Sequence, residues 1–202
     1  MVIKPNTASI YGLLLKLYKM SFNFIPCSIS GLYEIQPKIF GDSRGYFFES
    51  YSERDFFTAG ITIKFVQDNQ SSSGKGTLRG LHFQKENPQG KLVRAIHGEA
   101  FDVAVDIRQG SPTLGKWHSV ILNSEKQNLF YIPPGFAHGF LALTETVVFA
   151  YKCSGFYYQD DEGGIIWNDP DIGIIWPDLG MEYILSDRDK KLPFFSSLDI
   201  TS

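Results

Sequence analysis

Apolar and polar residues alternate one for one in short stretches along this chain, and turn residues break each stretch. Phe101, Val103, Val105 and Ile107 fall on one side of such a stretch, with Asp102, Ala104, Asp106 and Arg108 on the other. A period of two marks a strand with one face buried, and it does not fit a helix. The same period runs through Trp117–Asn123 and through Val147, Phe149, Tyr151 and Cys153. Between these stretches lie QGSPTLGK, LNSEKQN and IPPGFAHG, rich in residues that supply a positive or a fixed φ. One helix start stands out: Ser52 with Asp55 three residues on resembles a capping box, and Gly60 closes the turn or two that follow. Many strands, few helices and regular turns predict an all-β sandwich or barrel with a few short helices.

Composition narrows the partners. With 43% hydrophobic and 20% charged residues in 202, the chain has the make-up of one folded domain and not of a disordered or multi-span membrane protein. Lys and Arg number 19 against 22 for Asp and Glu, a formal charge of −3, so no global positive field is available to hold nucleic acid. An anionic ligand must be held by a few placed cations. Cys27 and Cys153 form neither a CxxC pair nor a disulfide framework, which fits the reducing cytoplasm. The early apolar run IYGLLLKLYKM carries two lysines and is too short for a membrane span of about 20 residues. It also lacks the cleavage pattern of an export signal. Met20 opens a second plausible start, so residues 1–20 are expected to be an extension and residues 21–202 the folded domain.

The candidate functional residues are polar groups in unusual places. His82, His97, His118 and His138 are far apart and include no H-x-H pair, so no metal site is expected. GxSxG, a P-loop and GxGxxG are all missing. Strict alternation would send Arg79 and His82 to opposite faces, and a bulge at Gly80 would bring them together. From pattern alone, an edge strand carrying a satisfied surface histidine is favoured over catalysis for these two residues. Taken singly, Tyr151 reads as a core tyrosine more readily than as an acid, His138 equally well as a turn cap, and Asp187 with Asp189 as an ordinary solvated charge cluster.

Read together, the blocks GLYEIQPKIFGDSRGYFFES, FVQDN, LRGLHFQ, QGKLVR, GEAFDVAVDIR, SPTLGKW, YIPPGFAHGF, AYK, IIWNDPDIGIIWP and LSDRD, in order from Gly31 to Asp189, resemble the dTDP-4-dehydrorhamnose 3,5-epimerase family. The resemblance implies a cupin-like jelly roll, a double-stranded β-helix. It also implies a homodimer that swaps N-terminal strands, a dTDP-sugar substrate, and no metal or redox cofactor. On it, His82 is the base, Asp189 orients His82, Tyr151 supplies a proton from the other side, and Lys91 sits by the enolate oxygen. Arg44, Arg79 and Arg188 are implied near the diphosphate. Glu49, Gln67 and Asn69 would make polar contacts to nucleoside or phosphate, Phe47 would stack on the base, and His138 would serve the sugar. The expected reaction inverts carbons 3 and 5 of a 4-keto sugar nucleotide. A relative inverting one carbon, or a noncatalytic carbohydrate-binding jelly roll, are the other readings. Gln70 departs from the histidine that many relatives carry after QDN, and the first 19 or so residues have no counterpart in the family.

Overall fold

A computed structural model describes residues 19–198, so most of the expected N-terminal extension lies outside the described residues. Two sheets face each other. One holds six strands, β1 (Phe22–Pro26), β2 (Tyr33–Pro37), β10 (Leu129–Ile132), β7 (Lys91–His97), β12 (Thr146–Cys153) and β5 (Gln67–Gly74), in that spatial order. The other holds β13 (Glu162–Gly164), β6 (Leu78–Gln84), β11 (Phe136–Ala142), β8 (Glu99–Asp106) and β9 (Trp117–Asn123). A short hairpin of β3 (Phe40–Asp42) and β4 (Gly45–Phe47) stands apart from both. Every named strand pairing is antiparallel, and the two facing sheets make the jelly roll that the alternation and the resemblance led us to expect.

The one α-helix among the described residues, α1 (Glu53–Thr58), starts where the sequence predicts it, with the Ser52 hydroxyl accepting from the Asp55 amide. It covers the outer face of the six-stranded sheet, packing Phe56 against Phe22, Ile35, Leu92 and Leu129. Between the sheets lie Val93, Ala95, Phe130, Phe136, Phe140 and Phe149. Each fully buried ring contributes roughly 1.5–3 kcal/mol over an exposed one.

The outer face of the five-stranded sheet is covered as well. Val103 and Val105 pack there with Leu81, Leu141 and Ile165, under Trp167, Trp176 and Leu185 of the C-terminal segment. This corrects the reading of β8 as half-buried, because its residues from Ala100 to Asp106 are buried on both faces. The apolar side lies under the C-terminal segment, and Asp102 and Ala104 point between the sheets. Polarity in this strand marks the interior site and not solvent.

Candidate active site

The open end of the space between the sheets forms a cavity of about 320 Å³ whose walls come from both. The five-stranded sheet brings Arg79, His82, His138 and Phe140, and the six-stranded sheet brings Ser71, Lys91, Phe149 and Tyr151. The loop before a 3-10 turn at Asp189–Lys191 closes one side with Ser186, Arg188 and Asp189. An adjoining cavity of about 300 Å³ shares His82, Lys91 and Tyr151 and adds Gln67, Asn69, Tyr157 and Glu162. A larger one, about 460 Å³, lies beyond Phe83 and carries no histidine. Chemistry and not size singles out the first two.

Arg79 and His82 share the cavity because of the bulge at Gly80. On β11, His138 pairs with His82 and Phe140 with Arg79, so an interval of two residues there meets an interval of three on β6. Gly80 has φ +109°, and a Cβ on it would lie 2.7 Å from the Gly139 Cα. Only glycine allows that approach. β6 is flanked by β13 and β11, so the alternative of an edge strand does not hold.

His82 and Asp189 form an imidazole–carboxylate pair, Nε2 to Oδ1, at 2.6 Å. Asp189 is buried, so it is not part of a solvated charge cluster, while Asp187 is exposed. Burial works against ionisation of Asp189, but the His82 hydrogen bond and charge, with Ser186, outweigh it and hold the carboxyl below its ordinary value. An ionised Asp189 fixes the proton of neutral His82 on Nε2 and leaves the Nδ1 lone pair as the basic atom.

A second pair lies deeper. His138 Nε2 is 2.9 and 3.1 Å from the two oxygens of Asp102, and both residues are buried. Here desolvation dominates. It pushes Asp102 up and His138 down, against their mutual attraction, so this pair is held less charged than two free groups would be.

Lys91 and Tyr151 face these pairs from the opposite wall. Burial lowers the Lys91 ammonium, and Cys153, Asp102 and Glu162 pull it partly back. Its Nζ makes no hydrogen bond or ion pair among the described residues, which leaves it available to a developing oxyanion. Burial first of all raises the Tyr151 phenol, keeping it protonated at neutral pH as an acid must be.

Residues 26–197 match the dTDP-4-dehydrorhamnose 3,5-epimerase family. A curated relative of that name from Methanothermobacter thermautotrophicus is 51% identical over 177 residues, covering 84% of this chain and 92% of the relative. The chain belongs to this family. A solved Legionella pneumophila dTDP-6-deoxy-D-glucose-3,5-epimerase, in complex with dTDP-4-keto-L-rhamnose, superposes with a TM-score of 0.85. It is 49% identical, over 88% of this chain and 95% of that one. A 3'-monoepimerase from Streptomyces bikiniensis, in complex with dTDP-quinovose, gives a TM-score of 0.79 at 36% identity, over 85% and 87% of the two chains.

Against the pattern expected of a dTDP-4-dehydrorhamnose 3,5-epimerase, the structure gathers His82, Asp189, Lys91, Tyr151, Arg79, His138 and Arg188 around one cavity and Gln67 and Asn69 around its neighbour. Arg188 is already engaged, its Nη1 2.5 Å from the Glu162 carboxylate. Arg44, Phe47 and Glu49 line neither cavity. Arg44 and Phe47 stand on the β3–β4 hairpin, where Arg44 pairs with Asp42 and Phe47 is 67% exposed. Gln70 faces a separate outer hollow with Arg94 and Lys152.

Sequence reasoning missed Asp102, Tyr157 and Glu162. Asp102 had only a weak signal, an acidic residue between Phe101 and Val103, because the covering of both faces of β8 comes from distant segments. Glu162 had none. It reaches His82 only because β13 pairs with β6, Gly164 opposite His82 and Glu162 opposite Gln84.

Proposed function

We propose that this protein inverts carbons 3 and 5 of dTDP-4-dehydro-6-deoxyglucose, giving dTDP-4-dehydro-L-rhamnose. The observation that carries this reading is the placement of base and acid on opposite sheets, His82 on β6 and Tyr151 on β12, with a cavity between them. A ketone at carbon 4 acidifies the hydrogens on both neighbouring carbons. His82 Nδ1 takes the proton from one ring face, and the C–H electron pair moves into an enolate whose oxygen lies at Lys91. Tyr151 then delivers a proton to the other face, and the carbon is inverted. Once His82 has given up its proton and the Tyr151 phenolate has taken one back from solvent, the cycle repeats at the second carbon and completes the reaction, which changes no oxidation state overall. Positioned acid–base groups contribute about 10²–10⁴-fold each, and one oxyanion donor roughly 3–4 kcal/mol, so both devices are needed. A noncatalytic sugar-binding jelly roll has no use for this arrangement.

Similarity to a 3'-monoepimerase gives the second reading, inversion of one carbon of a related 4-keto deoxysugar. Incubation with dTDP-4-dehydro-6-deoxyglucose and NMR of the product separates the two. Inversion at both carbons supports the first reading, inversion at one supports the second, and unchanged substrate contradicts both.

The reading extends to assembly and place. The β3–β4 hairpin carries exposed Phe40, Tyr46 and Phe47 beside Arg44, all away from this chain's own cavities. In a homodimer with swapped N-terminal strands, Arg44, Phe47 and Glu49 serve the partner's nucleotide pocket, while Arg79, Arg188, Gln67 and Asn69 come from the cavity's own chain. Light scattering at twice the single-chain mass checks this, and a monomer contradicts it. Two free thiols, Cys27 and Cys153, suit the cytoplasm, which cell fractionation tests.

A further inference from the structure

An epimerase that uses one imidazole at two carbons faces a problem of proton traffic. After the first abstraction His82 carries the substrate's proton on Nδ1, and it cannot act as a base again until that proton leaves. Asp189 offers no exit, because it holds Nε2 and is itself buried.

A second carboxylate stands on the other side of the ring. Glu162 Oε1 is 3.9 Å from His82 Nδ1. Its other oxygen, Oε2, accepts from the Tyr157 hydroxyl at 2.7 Å and from Arg188 Nη1 at 2.5 Å. Oε1 accepts no hydrogen bond from the described residues. The placement is set by backbone, since β13 is hydrogen-bonded to β6 and Gly164, opposite His82, leaves the ring open to the diagonal Glu162 side chain. Tyr157 is 51% exposed and the Arg188 side chain 50%, so the Tyr157–Glu162–Arg188 group joins the partly exposed His82 ring to the solvent-facing rim.

We propose that Glu162 is the proton exit of His82, clearing Nδ1 between the two abstractions. This rests on the epimerase reading above. In the relay step the Nδ1–H bond breaks, its electron pair stays on the imidazole, and the proton bonds to Glu162 Oε1. The resulting acid releases the proton to bulk water at the rim. Closing the gap to hydrogen-bond length takes a movement of about 1 Å. A diphosphate that draws Arg188 away removes a positive neighbour from Glu162 and strengthens it as an acceptor, so the relay is readied when substrate is seated. Glu162 acts through His82 and is a positioning and relay residue.

The test is a single-turnover incubation of dTDP-4-dehydro-6-deoxyglucose in deuterated buffer, with NMR of deuterium at carbons 3 and 5. In Glu162→Gln the first exchange stays within about threefold of wild type, while doubly exchanged product falls about tenfold and is restored by added imidazole. Equal loss of both exchanges, or no change in their ratio, overturns the relay. Should Glu162→Gln fail to fold by its melting curve, the wild type decides. A ratio of doubly to singly exchanged product that does not move with imidazole concentration supports an internal relay, and a ratio that rises with it overturns one. A wild type that exchanges neither carbon overturns the epimerase reading itself, which is a different failure from exchange at both carbons without dependence on Glu162.

Discussion

Two imidazole–carboxylate pairs share one cavity and differ mainly in their distance from water. The His82 side chain is 29% exposed and its Asp189 partner is held ionised, whereas His138 is 9% exposed and its Asp102 partner is pushed toward the neutral acid. The contrast shows how one motif supports two tasks. At the rim, an ionised carboxylate holds one nitrogen of a partly exposed ring and leaves the other unbonded to it. In the interior, desolvation works against charge on both members, and the pair becomes a fixed polar strut beneath the cavity. His138 stacks near Phe149, which itself stacks face to face on Phe140 at 4.1 Å, so the strut is locked within an aromatic column.

The comparison can be broken most forcefully at Asp102. Asp102→Ala leaves His138 buried without its partner, and because burial holds the pair toward neutrality we expect a loss of about 1–3 kcal/mol in denaturant unfolding. A loss under about 1 kcal/mol would mean that the interior pair is not structural. Asp189→Asn separates the two pairs in the opposite sense. Exchange activity should fall about 10²-fold because the ring loses its fixed tautomer, with a stability cost near 1 kcal/mol. Equal damage to activity and stability would erase the distinction.

A smaller effect lies in pH. His138 has a folded pKa below its unfolded value of about 6.5, so the unfolded chain takes up that proton first and stability falls as pH drops below about 6.5. Asp189 is lowered too, but from a carboxylate value, so its contribution is intact above about pH 4 and is lost as pH falls through the folded pKa. His138→Gln should therefore flatten the melting temperature between pH 7 and 5, and Asp189→Asn only below about pH 4. The reverse assignment of windows would show that the pairs have been exchanged in role.

Much of this site was legible in the residues. The period of two placed Val147, Phe149, Tyr151 and Cys153 on one inward face, and the capping pattern at Ser52 located the helix. The bulge at Gly80 followed from asking how Arg79 and His82 could share a face. What failed has a physical cause. Alternation says which residues share a side but not which side meets water, so Asp102 was put on the wrong one. Asp189 looked like surface because its burial depends on His82, 107 residues earlier in the chain. Glu162 and Arg188 meet only through the closing of β13 and the C-terminal loop, a contact that no local pattern encodes.

The proposed epimerisation depends on His82 being the group that removes the hydrogens. Wash-in of deuterium from buffer into dTDP-4-dehydro-6-deoxyglucose, compared between wild type and a folded His82→Ala variant, tests it most directly. Label at carbons 3 and 5 with wild type, and a fall of at least about 10²-fold at both in the variant with nucleotide affinity retained, is the expected result. Label entering the sugar at an undiminished rate without that imidazole would contradict the account.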